Sequence, residues 1–185
     1  KRQVLVIDAR LVPGGCASTR EFAENYRVSD CAQWLSQLDK TVVSDLQLGD
    51  AGLVLSDPKS TISLQPDASH VTFDGDTVTG TTIGKEDATD YRSFRSQMRR
   101  FAKVLATLYN GRPPKLVERN WTDRITLLKL GLGLKMLGKS HMQDLMRLAL
   151  INIYDVMNEY FKHPALKSLI ALDAITGSTM GPRSP

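Results

Sequence analysis

Apolar positions along the chain fall into three successive patterns. The first is a continuous run, Val4-Leu5-Val6-Ile7, which suits a short strand buried on both faces of a parallel sheet. It leads into the loop "DARLVPGGCAST", after which Ser18 or Thr19, with Glu21 in the first turn, is placed to cap a short helix. Trp34, Leu35, Leu38, Val42, Leu46 and Leu48 roughly follow the helical period and predict a helix over 31–48. The β-branched Thr41-Val42-Val43 weakens it, and Gly49 and Gly52 punctuate its end. The second pattern is alternation. "GLVLSDP" reads as a short strand stopped by Pro58. In "STISLQPD" Ile62 and Leu64 share a face, and in "HVTFDG" Val71 and Phe73 do. Asp74-Gly75 is a favoured hairpin pair, so a small antiparallel sheet is expected over 53–83. The third pattern is helical. Tyr91, Phe94, Met98, Phe101, Leu105 and Leu108 recur at three- and four-residue steps. They predict a helix from 87, capped by Asp87 or Thr89 and ended by Asn110-Gly111 before the stiff Pro113-Pro114. Helices over 121–138, 141–161 and 164–174 follow, the last two separated by His163-Pro164, and "TGSTMGPRSP" closes as a loop.

The order is therefore one parallel-type strand, a small antiparallel sheet and a mainly helical stretch, an α+β arrangement. A lone parallel strand leaves its N–H and C=O groups without neighbours. The pattern thus predicts a piece of something larger. At 185 residues, 42% hydrophobic and 24% charged, the chain has an ordinary globular composition rather than that of a disordered segment. The net charge of +4 is concentrated in "YRSFRSQMRRFAK". Arg92, Arg95, Arg99, Arg100 and Lys103 surround one helix whose aromatics belong to its apolar stripe. This predicts a solvated basic face and no nucleic-acid partner, with anionic lipid or a protein partner as the minor alternative.

Cys16 and Cys31, with fourteen residues between them, make neither a disulfide framework nor a zinc site. Neither has a C-x-x-C partner, so disulfide redox chemistry is not expected and a reducing compartment is the simpler setting. His70, His141 and His163 show no metal-ligand spacing, and His163 is placed to meet the carbonyls ending the helix before it. "KLGLGLKMLGK" invites comparison with a phosphate loop, but no strand precedes it. A helix with small residues for close packing is the better reading, with a lipid-interface face as the alternative. No run reaches the ~18 apolar residues of a membrane span.

The opening stretch carries the chemistry. In a dinucleotide-binding unit the second strand ends in an acid that accepts hydrogen bonds from the adenosine ribose, and Asp8 stands at the end of Val4–Ile7. Gly14-Gly15, without Cβ atoms, lets the backbone pass close to a bulky ligand. "VLVIDARLVPGGCAST" resembles the acid-x-Arg-x-x-x-Gly-Gly-x-x-[Ser/Thr] signature of the flavin amine oxidase superfamily. "LGDAGLVLSDP", "TDYRSFRSQMRRFAKVL", "LKMLGKSHMQDLMRLALINIYDVMNEYF" and "ALKSLIALDAITGSTMGPRSP" resemble, in that order, phytoene dehydrogenase-like oxidoreductases. The resemblance implies an internal fragment of an α/β, Rossmann-like FAD-binding flavoprotein, with a partial FAD-binding domain over 1–48 and a partial substrate domain over 49–185. It implies FAD as cofactor, held by Asp8, Arg10, Gly14, Gly15, Ser18 and Thr19. The implied reaction is hydride transfer from an apolar small-molecule substrate to the flavin, with no catalytic side chain named. Leu11 and Pro13 depart from the residues usual in that signature. The missing parts of its own full-length chain would be partners. The setting would be cytoplasmic, or mitochondrial in an animal, with peripheral membrane contact. Trp121 and the helix from Met136 to Met157 are candidates for the substrate pocket. Two other readings compete: a cofactor-free interaction or membrane-associated module, and a fragment of an NAD-dependent dehydrogenase. The latter uses Asp8 but leaves Gly14-Gly15 unexplained.

Overall fold

The structure, a computed structural model, describes residues 3–184 except 33, 34, 36, 37, 58, 110–112, 116, 118 and 119. It divides into two compact units, Lys1–Leu55 and Ser56–Pro185.

In the first unit Val4–Ile7 forms no strand, and its four side chains are 81–84% exposed. The parallel-type strand expected there is corrected on this point. An apolar run supplies side chains to bury, but a strand also needs a neighbour for its backbone groups, and no described segment pairs with it. Ser18 and Thr19 do not begin a helix either. Strand β1, Thr19–Ala23, pairs antiparallel with β2, Tyr26–Ser29, in the register Thr19↔Ser29. Asn25 turns the chain with φ +64°, a left-handed conformation Asn tolerates, and its N–H donates to Glu21 Oε1 at 3.0 Å. Among the described residues of 31–48 the helix is α1, Lys40–Asp45, where the Asp39 carboxylate accepts the Thr41 N–H at 2.6 Å. Trp34 lies outside the described residues. "GLVLSDP" forms no strand: Val54 and Leu55 are exposed coil, and Pro58 lies outside the described residues.

The second unit holds the core. Strands β3 (Thr61–Ser63), β4 (Val71–Asp74) and β5 (Thr77–Gly80) form an antiparallel meander in the order β3-β4-β5. The β4–β5 loop is Gly75-Asp76, one residue beyond the expected pair, with Gly75 at φ +56°. Val71, Phe73 and Val78 are buried, whereas Ile62 and Leu64 face outward. Helix α2, Lys85–Tyr109, buries Tyr91, Phe94 and Phe101 as the apolar period predicts. It starts earlier than expected, so neither Asp87 nor Thr89 caps it. Asp87 is buried and accepts the Lys162 N–H at 2.8 Å, and the Thr89 hydroxyl donates to the Lys85 carbonyl. The expected stop, Asn110-Gly111, lies outside the described residues.

Helix α3, Trp121–Met136, opens on a capping box between Asn120 and Asp123. The single helix expected over 141–161 is two, α4 (Gly138–Leu148) and α5 (Ile153–Tyr160). Asn152 caps the second by accepting the Asp155 N–H at 2.9 Å. Helix α6, Pro164–Ile175, has proline in its first turn, where no amide donor is missed. Edge-to-face rings, Phe73 on Tyr91 at 5.3 Å and Phe94 on Phe161 at 5.4 Å, tie the sheet to α2 and α2 to the end of α5. Met157 and Leu166 complete that core. The chain is thus α+β with a small antiparallel sheet and helices. Among the described residues both sheets are antiparallel throughout, without the parallel pair that the expected Rossmann-like portion would bring.

Candidate functional site

The residues singled out in the opening stretch come together in one turn. Asp8 Oδ1 accepts the Arg10 N–H at 2.8 Å, an Asx turn that folds the chain back after the apolar run. Gly14 (φ +126°) and Gly15 (φ +53°) take left-handed conformations that side chains disfavour, and this lets Gly15–Ala17 wind one turn of 3-10 helix. The Gly15 carbonyl is the hub. It accepts from Arg10 Nη1 at 3.2 Å, from the Ser18 hydroxyl at 2.8 Å and from the Ser18 N–H at 3.2 Å. The Ser18 hydroxyl also lies 3.0 Å from Asp30 Oδ2, two acceptors for one proton. Arg20 Nε closes the far side on Asp30 Oδ1 at 2.9 Å. Thr19 opens β1 beside this cluster. Five of the six expected residues share one hydrogen-bonded turn, and Thr19 follows it directly.

This turn suits part of a flavin dinucleotide and not the rest. Asp8 is exposed and has one oxygen taken by Arg10, leaving the other to meet a ribose hydroxyl. A Cβ built on Gly15 would meet nothing within 4 Å, so the backbone is open to close approach on that side. The phosphates and the ring system find no equivalent cradle among the described residues, because no long helix begins at this turn. The chain matches no family model, no curated protein and no solved structure. The functional reading therefore stands on these residues and their geometry.

Elsewhere the structure revises several expectations. On spacing alone Gly133, Gly138, Lys139 and Ser140 fit G-x-x-x-x-G-K-S, a pattern that the helical reading of "KLGLGLKMLGK" passes over. Its backbone is nonetheless helical. Gly133–Met136 belongs to α3, and the Leu137 N–H donates back to Gly133 at 3.2 Å, so amides a phosphate loop would aim at an anion are already used. Gly133 packs against Val104, as the small-residue reading expects. His163 does not meet the helix before it; its Nε2 pairs with the Thr82 hydroxyl at 2.9 Å. His141 Nε2 takes a hydrogen bond from Arg100 at 2.9 Å. The described residues contain no group of three or more side chains able to hold a metal ion, and none of their helices is long and apolar enough to cross a membrane.

The basic face of α2 is partly neutralised. Arg99 pairs through both guanidinium nitrogens with Asp76, and Arg95 lies 3.7 Å from the same carboxylate. The hydrogen bond from Arg99 is the main cause that lowers the Asp76 pKa, with the nearby arginine charges adding to it.

An apolar cavity of about 380 Å³ lies between α5, α6 and the C-terminal loop, and Met157, Ala171, Leu172 and Ile175 supply apolar lining. Tyr154, Lys167 and Pro182 also line it, and the Tyr154 N–H donates to the Pro182 carbonyl at 2.9 Å. Hydrogen bonds from Arg183 and Asn158 hold the Tyr154 phenol below its usual range. Of the stretch from Met136 to Met157, Tyr154 and Met157 line this cavity, whereas Met136 itself is 87% exposed and Trp121 is 77% exposed.

Proposed function

We propose that the chain is part of an FAD-dependent oxidoreductase of the phytoene dehydrogenase-like kind. What carries the reading is the single turn that gathers Asp8, Arg10, Gly14, Gly15 and Ser18. In it the free oxygen of Asp8 accepts from the adenosine ribose. Arg10, fixed on the Gly15 carbonyl, sets the rim, and the bare glycines let the ligand lie against the backbone. Ser18 and Thr19 border the pyrophosphate side. Bound flavin supplies the hydride-accepting chemistry, and this chain's residues bind and orient it. The cavity between α5 and α6 is the seat for an apolar substrate, since most of the surface it presents is apolar. Leu128, Leu132 and Met136 recur every fourth residue on α3 and are exposed, the surface on which a peripheral membrane contact would form. The remaining parts of the cofactor site would come from the rest of the protein's own chain.

The deciding experiment is a visible absorption spectrum of the purified protein, on this chain and on one carried to its natural termini. A flavin spectrum in the longer form, lost in its Asp8→Ala and Gly14→Val variants, is the expected result. No flavin in either form with FAD in excess would sink the reading and leave a cofactor-free interaction module in its place.

A further inference from the structure

Cys16 and Cys31 are distant enough in sequence to escape any motif, yet the fold sets their backbones side by side. The Cys31 N–H donates to the Cys16 carbonyl at 3.2 Å, and next to it the Asp30 N–H donates to the Ser18 carbonyl at 3.0 Å. The Ser18 hydroxyl at Asp30 and the Arg20–Asp30 ion pair clamp the same two segments. A single backbone N–H···O bond of this length keeps the two Cα atoms within roughly 5–6.5 Å of one another. That lies inside the span of about 4.4–6.8 Å that a disulfide bridges. Both thiols are free and exposed, so each is open to reagent.

We infer that Cys16 and Cys31 form a reversible dithiol–disulfide site, oxidised by a low-molecular-weight disulfide of the glutathione class. One thiolate attacks the small disulfide, forming a mixed protein disulfide and releasing one small thiolate. The second thiolate then attacks the protein sulfur of that mixed disulfide, releasing the second. The two protein thiols lose two electrons, and the two protons end on the two small thiols formed. An intracellular glutathione pool run in reverse restores the dithiol, so the bond is conditional rather than structural. Its product is a staple across the base of the Gly14-Gly15 turn, fixing the segment after the turn to the end of β2. The site is independent of the flavin reading, since it requires only the two thiols and the hairpin between them.

The test is oxidation of the 185-residue chain with oxidised glutathione, followed by tryptic mass mapping. The expected product has lost two hydrogens and yields the peptide Leu11–Arg20 joined to Val28–Lys40. Cys16→Ser and Cys31→Ser each abolish it and retain glutathione on the remaining thiol. The native chain should also form the bond at a ratio of reduced to oxidised glutathione about tenfold higher than in concentrated urea, because the fold presents the pair. Stable glutathione adducts on both cysteines, a link only between chains, or equal behaviour in native and denatured chains would overturn the inference.

Discussion

The two units are held by different kinds of interaction. In Ser56–Pro185 the sheet and helices close on a continuous core from Val71 to Leu166, with four of its larger side chains almost wholly inaccessible. In Lys1–Leu55 no described residue is buried, and order comes from backbone bonds, an Asx turn, one capped helix turn and surface ion pairs. Surface pairs and local hydrogen bonds each contribute little against water, whereas burial of whole apolar side chains is the dominant stabilising effect. The second unit can therefore hold its shape by its own packing. The first defines local geometry and leaves Val4–Ile7, Phe22 and Tyr26 open to whatever else it meets.

The sharpest way to break this contrast is to cut equal side chains from the two units. Leu166→Ala should lower stability to denaturant by about 2–5 kcal/mol, since Leu166 has no exposed surface and its removal leaves a cavity. Ile7→Ala should change it by no more than about 0.5 kcal/mol; equal costs would mean that the opening run has a packed environment after all. Next in size is Asp87→Ala, which strands the Lys162 N–H and should cost about 1–3 kcal/mol in the same measurement. Asn120→Ala removes one half of the α3 capping box and should cost about 1 kcal/mol. Asp39→Ala removes the equivalent cap of α1, and should lower local helicity while leaving the main unfolding transition where it was.

The smallest effect depends on pH. Asp76 has its folded-state pKa lowered, first by the Arg99 hydrogen bond, so the unfolded chain holds the proton more tightly. Its contribution is therefore present above the ordinary carboxylate value of about 4 and lost as pH falls through the lower folded value. Asp76→Asn should move the denaturation midpoint down at neutral pH, and the gap from the unsubstituted protein should close in acid. A gap that persisted at low pH would assign the effect to packing rather than charge.

The same division explains what could be read along the chain. Helix α2 was legible because Tyr91, Phe94 and Phe101 mark a face that is in fact buried, and period reports burial. The β4–β5 hairpin was legible through Gly75. In the first unit period had nothing to report: all five residues of β1 are exposed, so no alternation betrays the strand. Asn25 between the β-formers Phe22 and Tyr26 was the available signal, outweighed by the cap-like Ser18 and Thr19. The split between α4 and α5 was likewise written in Asn152 followed three residues later by Asp155. At the glycine turn the residues were visible, but not that Gly15 would collect three donors on one carbonyl. The nearness of Cys16 and Cys31 was invisible, because it follows from a hairpin that had not been seen.

The two glycines of "LGLGL" lead different lives over time. A methyl on Gly131 would point into open space, while one on Gly133 would lie 3.3 Å from Val104, in the seam between α2 and α3. Drift could turn the first into alanine unnoticed and even make the helix firmer. The second sits close against its neighbour helix, so its replacement asks the Val104 side chain to give way by a few tenths of an ångström. Related chains, set side by side, should vary more freely at 131 than at 133.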